Sequence, residues 1–211
     1  ASFGKPMIVS TGMTNIFYLK KIFNLIKKNW KGRISSRNFS FLHCVSSYPA
    51  PEKELNLLAM KHIEKTFKNI TVGYSDHSVG TTACQAAVTL GAKIIEKHFT
   101  LDNNFSKFRD HKLSLNPNDM SNLVKNIRNI ELMVGKEKKE IQNSERNNII
   151  NSRRSLVATK KLKKFSLIKD SDIVSLRPQG GLEADQKKFL LGKKMQKDIQ
   201  PGNFFKKKHL N

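Results

Sequence analysis

Short apolar runs alternate with longer amphipathic segments along the first 135 residues. The apolar runs predict four buried strands: Lys5–Thr11, Asn38–Ser46, Ile70–Tyr74 and Lys93–Phe99. Apolar residues at helical spacing, with lysines opposite, predict helices over Ile16–Trp30, Glu54–Phe67 and Thr81–Leu90. Asn116 before Pro117 is typical of a helix start, and we expect that helix to continue to about Val134. Strand and helix repeated four times predict a parallel sheet with right-handed crossovers.

Polar residues follow each apolar run, which is where parallel α/β barrels carry their chemistry. Ser10 and Thr11, His43 and Ser46, Asp76 and His77, and Glu96 and His98 all stand at such strand ends. Four units make half of an eight-stranded barrel, and half a barrel leaves two sheet edges open. We therefore expect the C-terminal half of a TIM (β/α)8 barrel without its N-terminal strands. A four-stranded open sheet is the structural alternative.

Two histidines stand at the ends of consecutive predicted strands. His77 follows the strand Ile70–Tyr74, and His98 lies in the next strand with Glu96 two residues before it on the same face. If these strands are parallel neighbours, the two imidazoles converge on one small volume and could share a metal ion. Taken singly, each histidine is better explained by a place in the core.

The pattern changes after the charged, apolar-poor segment Lys136–Asn151. Short apolar pieces follow, separated by Lys, Asp, Gly and Pro, and they predict strands at Ser155–Thr159, Phe165–Ile168, Ile173–Leu176 and up to Phe205. This pattern is typical of a small β-rich domain. We predict a partial barrel over residues 1–140, a linker over 141–151 and a second domain over 152–211.

The formal net charge of +22, from 39 basic and 17 acidic residues, raises the question of nucleic acid. The basic residues are mostly lysines spread through both halves, with no arginine cluster among aromatics, so a solvated lysine-rich surface is favoured and no nucleic-acid partner is expected. No run of 18 apolar residues exists, and no membrane partner is expected. Two solitary cysteines, Cys44 and Cys84, fit buried thiols in a reducing cytoplasm.

Five motifs in order resemble the strand-end motifs of the sialic acid synthase family: KPMIVSTGM from Lys5, LHCVSSYPAP from Leu42, GYSDHSVG from Gly73, IIEKHFTLD from Ile94 and RDHKLSLNP from Arg109. RRSLVA from Arg153 and RPQGG from Arg177 resemble that family's C-terminal SAF domain, an antifreeze-like β-clip fold. The resemblance implies a cytoplasmic transferase that condenses phosphoenolpyruvate with an N-acylated amino sugar aldehyde. The products would be a nonulosonic acid and phosphate.

The resemblance also implies roles for individual residues. His77 and His98 would hold a divalent metal ion, Mn²⁺ first and Mg²⁺ or Co²⁺ otherwise, with His77 and Glu96 as the catalytic residues. Phosphoenolpyruvate would be bound by Lys5, Ser10, Ser46 and Ser75. The amino sugar would be bound by Tyr48 and Asp110, and by Arg177 reaching across a domain-swapped homodimer of the full-length protein. Each residue also has a purely structural explanation. Lys5 and Arg177 could be solvated surface residues, and Glu96 could form an ion pair with a lysine. Tyr48 could be a structural tyrosine, and Asp110 could be a loop aspartate.

Three points set limits to the resemblance. Ser46 stands where other members carry Asn, and Phe165 stands where the SAF domain commonly has a glycine that permits positive φ. The family's N-terminal strands are absent, so we expect activity only with the missing half. The functional alternative is a non-catalytic relic or a carbohydrate-binding module. The sequence does not choose among N-acetylmannosamine, its 6-phosphate and a diacylated trideoxy sugar.

Overall fold

The computed structural model describes Phe3 and residues 5–210, so the outermost positions of the two predicted domains, residues 1 and 211, lie outside the described part. The chain divides into two compact units at Lys136 and Glu137. Within the described ranges no helix is both long enough and apolar enough to cross a membrane.

Among its described residues, the first unit is built on a parallel sheet of four strands. The strands are β1 (Met7–Ser10), β2 (Phe39–Cys44), β3 (Thr71–Asp76) and β4 (Ile95–Lys97), and they lie side by side in chain order. Every pairing is parallel. An isolated parallel bridge joins Phe99 to Leu115 beyond β4. This order confirms the predicted half of a (β/α)8 barrel, with all C-terminal strand ends at one edge.

In the described part of this unit, five α-helices accompany the sheet: α1 (Ile16–Asn29), α2 (Ala59–Thr66), α3 (Thr82–Thr89), α4 (Arg109–Leu113) and α5 (Pro117–Val134). The Asn116 side chain accepts a hydrogen bond from the Asp119 amide, as the predicted start of α5 requires. Two predictions were wrong in extent. The helix expected from Glu54 begins at Ala59, because Asn56 with its φ of 42° interrupts the helical backbone. The strand expected over Lys93–Phe99 is regular only over Ile95–Lys97.

An aromatic core lies between the sheet and its helices. All six residues of β2 are buried, and Phe39 and Phe41 contact each other with ring centroids 4.8 Å apart. Phe23 of α1 packs 5.1 Å from Phe67, which in turn lies 5.1 Å from Phe41. These contacts hold α1 and the end of α2 against the sheet, and so they fix the position of the strand ends that carry the polar residues.

The second unit is small and contains a two-stranded antiparallel sheet. It comprises α6 (Arg146–Ser152), β5 (Ser155–Ala158), β6 (Ile173–Leu176) and α7 (Lys187–Leu190), with β5 pairing with β6. The residues predicted as a linker are partly helical, because α6 and a 3-10 turn at Asn143–Glu145 occupy them. The strand predicted at Phe165–Ile168 forms a single bridge, from Leu167 to Lys194.

The core of the second unit is formed by residues from β5 to the C-terminal segment. Leu156, Ile168, Leu190, Met195 and Phe205 are almost completely buried. The turn before Ile168 contains Phe165 with a φ of 69°, so the position where a glycine was expected keeps a left-handed backbone with phenylalanine in place. The Phe165 amide donates a 2.7 Å hydrogen bond to the Met195 carbonyl, which anchors this turn.

Candidate active site

His77 and His98 meet at the C-terminal edge of the sheet. Each follows directly after its strand, and the last register pair of β3 and β4 is Asp76 with Lys97, one residue before each histidine. The two imidazole rings lie 5.2 Å apart between centroids at an interplanar angle of 77°. The convergence predicted from parallel neighbouring strands is therefore present.

The imidazole of His77 is held in one tautomer. Its Nδ1 atom lies 2.8 Å from the Val45 carbonyl oxygen and 3.6 Å from Cys44 Sγ. A carbonyl oxygen only accepts hydrogen bonds, so we assign the proton of the neutral ring to Nδ1. That assignment leaves Nε2 with a free lone pair. Metal-bound histidines commonly show this arrangement, in which the other ring nitrogen donates to a backbone carbonyl.

The environment of His98 favours its neutral form. Burial lowers the pKa of this imidazole, and the neighbouring His77 lowers it further, while the negative charge of Asp110 opposes both. Asp110 lies in α4 and is half-buried. A neutral imidazole offers a lone pair to a cation or accepts a hydrogen bond from a substrate hydroxyl. The charge of Asp110 thus reaches the His98 imidazole.

Tyr48 packs against both histidines. Its ring centroid lies 4.2 Å from that of His77 and 5.8 Å from that of His98. The tyrosine follows β2, so three consecutive strands supply one aromatic group each to the same small region. This cluster presents two imidazoles beside an aromatic ring, which suits a polar ligand with an apolar side.

A carboxylate and a hydroxyl are joined on the same face of the sheet. Ser75 and Glu96 are a register pair of β3 and β4, and Ser75 Oγ donates a 2.6 Å hydrogen bond to Glu96 Oε1. Alternation along β4 places Glu96 on the face of His98. Ser75 is buried whereas Glu96 is exposed, so the carboxylate is oriented by the sheet while it stays accessible to a ligand.

The ends of β1 and β2 lie in close contact. Thr11 Oγ1 donates a 2.9 Å hydrogen bond to the Leu42 carbonyl, which ties the end of β1 to β2. Ser10 is exposed at this end, and Ser46 is half-buried. A Cβ atom added to Gly12 would fall 2.0 Å from Ser46 Oγ, so the glycine leaves the space that the serine side chain occupies.

Lys5, one of the residues expected at the site, does not lie at the same strand ends as these residues. Lys5 is exposed and precedes β1, at the opposite end of that strand from Ser10. Arg177 belongs to the second unit, where it is exposed and follows β6. His43, one of the strand-end residues, is buried in β2 with its Nε2 atom 2.8 Å from the Leu55 carbonyl. That contact makes His43 a structural residue.

Sequence reasoning missed Lys97. Its side chain is 1% exposed and its ammonium donates a 2.8 Å hydrogen bond to Oδ2 of Asp76, which is fully buried. Burial raises the pKa of the Asp76 carboxyl, but the hydrogen bonds from Lys97 and Ser78 outweigh burial and bring this pKa below its ordinary value. The ion pair lies on the face of the sheet opposite His98. Only the strand register, which the sequence does not reveal, could have paired the two residues.

The residues present fit a divalent cation that takes further ligands from its substrate. Across Phe3 and residues 5–210, no group of three or more His, Cys, Asp or Glu side chains is arranged to hold a metal ion. The His77 and His98 pair nevertheless supplies two imidazoles, and imidazole suits first-row divalent ions. Two protein ligands leave coordination positions open for a substrate.

Two family models match the chain. The model of the NeuB family matches residues 1–139, and the model of the SAF domain matches residues 153–211. The first covers the unit with the histidine pair, and the second covers most of the small unit.

Relatives and solved structures agree with these matches. The chain is 42% identical over 193 residues to an N,N'-diacetyllegionaminic acid synthase of Campylobacter jejuni, covering 92% of this chain and 56% of the relative. It is 36% identical over 138 residues to the N-acetylneuraminate-9-phosphate synthase of Homo sapiens, covering 65% of this chain and 36% of the relative. The crystal structure of a sialic acid synthetase from Leptospira borgpetersenii superimposes with a TM-score of 0.61 and 34% identity, over 69% of this chain and 48% of that one. The chain spans about half the length of the bacterial synthase.

Proposed function

Because the chain belongs to the NeuB family and carries a SAF domain, we propose that it is the part of a nonulosonic acid synthase that holds the reacting sugar aldehyde. The proposed reaction joins C3 of phosphoenolpyruvate to the aldehyde carbon of an N-acylated amino sugar. Water is consumed, and the products are a nonulosonic acid and inorganic phosphate. Relatives named as legionaminic, pseudaminic and N-acetylneuraminate-9-phosphate synthases support this reaction class.

The observation that carries the proposal is the pairing of His77 with His98. Their rings lie 5.2 Å apart at the C-terminal edge of two parallel strands, where barrel enzymes place their active sites. The Nε2 atom of His77 is left free by the hydrogen bond of Nδ1 to Val45. We propose that these two imidazoles hold a divalent cation, with Mn²⁺ as the first choice. Such an ion, when bound, would polarise the aldehyde carbonyl.

The other site residues orient and exchange protons in this proposal. Glu96, already aligned by Ser75 at 2.6 Å, would accept a proton from water or hold a sugar hydroxyl. Tyr48 would lie against the sugar, since its ring already packs on His77 at 4.2 Å. Asp110 would accept hydrogen bonds from sugar hydroxyls near His98.

Phosphoenolpyruvate would be bound at the adjoining strand ends. Ser10 and Ser46 provide hydroxyl donors there. The Ser46 side chain occupies space that is open because Gly12 has no Cβ atom. Lys5 is proposed as a cationic contact for the carboxylate or phosphate in the full-length protein. Because Lys5 precedes β1, this contact requires its side chain to point into the barrel.

Assembly and location belong to the same proposal. We propose a domain-swapped homodimer in which Arg177 of the partner subunit contacts the N-acyl group of the sugar. A cytoplasmic location is supported by Cys44 and Cys84, which are buried free thiols as expected in a reducing compartment.

Phosphate release tests the proposed reaction. The chain would be joined to the part of the Campylobacter jejuni relative that it does not cover, and incubated with Mn²⁺, phosphoenolpyruvate and a panel of sugars. The panel comprises N-acetylmannosamine, its 6-phosphate and a diacylated trideoxy hexose. We expect phosphate release with at least one sugar, together with a new nonulosonic acid detected by mass spectrometry.

Three variants make the assay specific. His77→Ala and His98→Ala should abolish release, whereas His62→Ala, which removes an exposed imidazole of α2, should not. No release with any sugar would refute the synthase proposal. Sugar binding without release would favour the carbohydrate-binding alternative.

A further inference from the structure

Lys97 contacts the residues on both sides of His77. Its ammonium donates to Asp76 Oδ2 at 2.8 Å and also to the Ser78 carbonyl oxygen. Asp76 Oδ1 in turn accepts a 2.9 Å hydrogen bond from the Ser78 amide. The backbone that presents His77 is therefore closed into a small ring of hydrogen bonds, and one member of that ring is the residue directly before His98.

The Asp76 carboxylate is fully engaged. Besides Lys97 and Ser78, it accepts a hydrogen bond from Tyr74 Oη at 3.0 Å and one from Cys84 Sγ at 3.3 Å. A carboxylate with this many donors has its lone pairs satisfied and cannot rotate without losing several bonds. Asp76 is thus a fixed point to which both β3 and β4 are attached.

The Tyr48 ring and the bond between Ser75 and Glu96 also act on the two histidines, and Lys97 adds a link between their backbones. Strand β4 has only three residues, and its pairing with β3 ends at Asp76 and Lys97. Beyond that pair, His77 is bonded through its carbonyl to the Ala50 amide, and His98 through its carbonyl to the Leu115 amide. The backbone carbonyls of the two histidines are thus bonded to different segments. The Lys97 side chain, by contrast, links the residue before His98 to the Ser78 carbonyl, directly after His77.

Stability alone does not explain a buried ion pair. The Lys97 and Asp76 side chains are 1% and 0% exposed, and the cost of removing two charges from water offsets much of their attraction. An apolar pair of similar size would serve the core about as well. The Lys97 and Asp76 pair instead provides directional bonds at the last register pair of β3 and β4.

We infer that Lys97 and Asp76 are positioning residues, which fix the backbone around His77 and thereby the arrangement of the His77 and His98 imidazoles. This inference rests on the proposed function of the histidine pair as a cation site. It predicts that removing the ion pair loosens the imidazoles without changing any residue that contacts a ligand.

The test is the double variant Asp76→Asn/Lys97→Met, which removes both charges and leaves neither unpaired. Long-range ¹H–¹⁵N spectra of histidine-labelled protein at pH 8 report the tautomer of His77. We expect the Nδ1-protonated form in the unaltered chain and a mixture of tautomers in the double variant. Co²⁺ affinity, read from visible absorption, should fall about 10- to 100-fold, as is typical when a group supporting a metal ligand is removed.

The matched control is Asp172→Asn/Lys160→Met, the same exchange at an ion pair of the second unit with a Lys160 Nζ to Asp172 Oδ1 distance of 2.8 Å. It should leave the His77 tautomer and Co²⁺ affinity unchanged. If the double variant does not fold, Lys97→Arg keeps the ion pair with Asp76 but replaces the ammonium that bonds the Ser78 carbonyl by a longer, planar group, and should shift the tautomer in the same direction to a smaller extent.

Two outcomes separate the inference from the function on which it rests. An unchanged tautomer and unchanged Co²⁺ affinity in a folded variant at position 76 or 97 would overturn the positioning role. Absence of Co²⁺ binding by the unaltered chain would count against the cation site itself. The tautomer of His77 would then still show whether Lys97 and Asp76 fix the position of the His77 imidazole.

Discussion

Ser75 Oγ donates a 2.6 Å hydrogen bond to Glu96 Oε1 across the β3 and β4 pair, on the same face as His98. This bond orients an exposed carboxylate beside the histidine pair with no need for a neighbouring lysine. A carboxylate held in this way keeps its capacity to accept a proton while its direction is fixed.

The first prediction concerns the charge of Glu96. Glu96→Gln keeps an acceptor oxygen for Ser75 but cannot take up a proton, so kcat for phosphate release by the joined protein should fall about 10²- to 10⁴-fold. Ser75→Ala should cost less, because Glu96 keeps its charge and loses only its orientation. Steady-state kinetics measure both. Full kcat in Glu96→Gln would remove this residue from the catalytic scheme.

The second prediction concerns the contact of Gly12 with Ser46. In Gly12→Ala the added Cβ would lie 2.0 Å from Ser46 Oγ, and the serine must rotate to relieve the clash. We expect a higher KM for phosphoenolpyruvate with little change in the melting temperature. In a double-mutant cycle, Gly12→Ala should add nothing to Ser46→Ala. Fully additive effects would show that Gly12 does not act through Ser46.

The third prediction concerns the strained turn at Phe165. A left-handed backbone costs a residue with a side chain about 1–2 kcal/mol, and Phe165 has a φ of 69° with an exposed side chain. Phe165→Gly should therefore raise the free energy of unfolding of the second unit by about 1 kcal/mol. Phe165→Ala should give no such gain because alanine keeps the penalty. Urea denaturation followed by NMR signals of Val157 distinguishes them, and equal effects of Gly and Ala would contradict the account.

The fourth prediction concerns acid stability of the second unit. Burial raises the pKa of Asp172, but the ion pair with the Lys160 ammonium and the hydrogen bond from the Lys169 amide outweigh burial and lower this pKa below its ordinary value. A lowered folded-state pKa means that the ionised carboxylate stabilises the fold above its unfolded pKa of about 3.9. That stabilisation is lost as the pH falls through the folded-state pKa.

Asp172→Ala should therefore cost about 1–3 kcal/mol of unfolding free energy at pH 7. Below pH of about 4 the difference from the unaltered chain should shrink. Lys160→Ala, which removes a mostly exposed partner, should cost less than about 1 kcal/mol. Urea denaturation at pH 7 and at acid pH measures these values. A cost for Asp172→Ala that does not change with pH would contradict the role of the carboxylate charge.

The histidine pair could be predicted because its signal is local. Apolar runs fixed the strands, and the polar residues directly after them marked the edge at which His77 and His98 meet. His43 shows the limit of that reasoning. It stands near a strand end too, but its side chain lies on the helix side, where the Leu55 carbonyl binds it. Position near a strand end does not reveal which face a residue occupies.

Lys97 could not be predicted because its role depends on register. A lysine between Glu96 and His98 reads as a solvated residue, and nothing in the sequence places it opposite Asp76. The prediction for the turn at Phe165 was wrong for a different reason. The sequence indicates that phenylalanine avoids positive φ, but the hydrogen bond to Met195 and the surrounding core hold the turn in place. In both cases tertiary contacts override a local preference.

The central claim is that His77 and His98 share one divalent cation, and Mn²⁺ binding to the 211-residue chain tests it most directly. Titration followed by electron paramagnetic resonance should show one bound Mn²⁺ per chain, with affinity reduced about tenfold or more in His77→Ala and in His98→Ala, and unchanged in His62→Ala. Equal Mn²⁺ affinity in all three variants and the unaltered chain would contradict the claim.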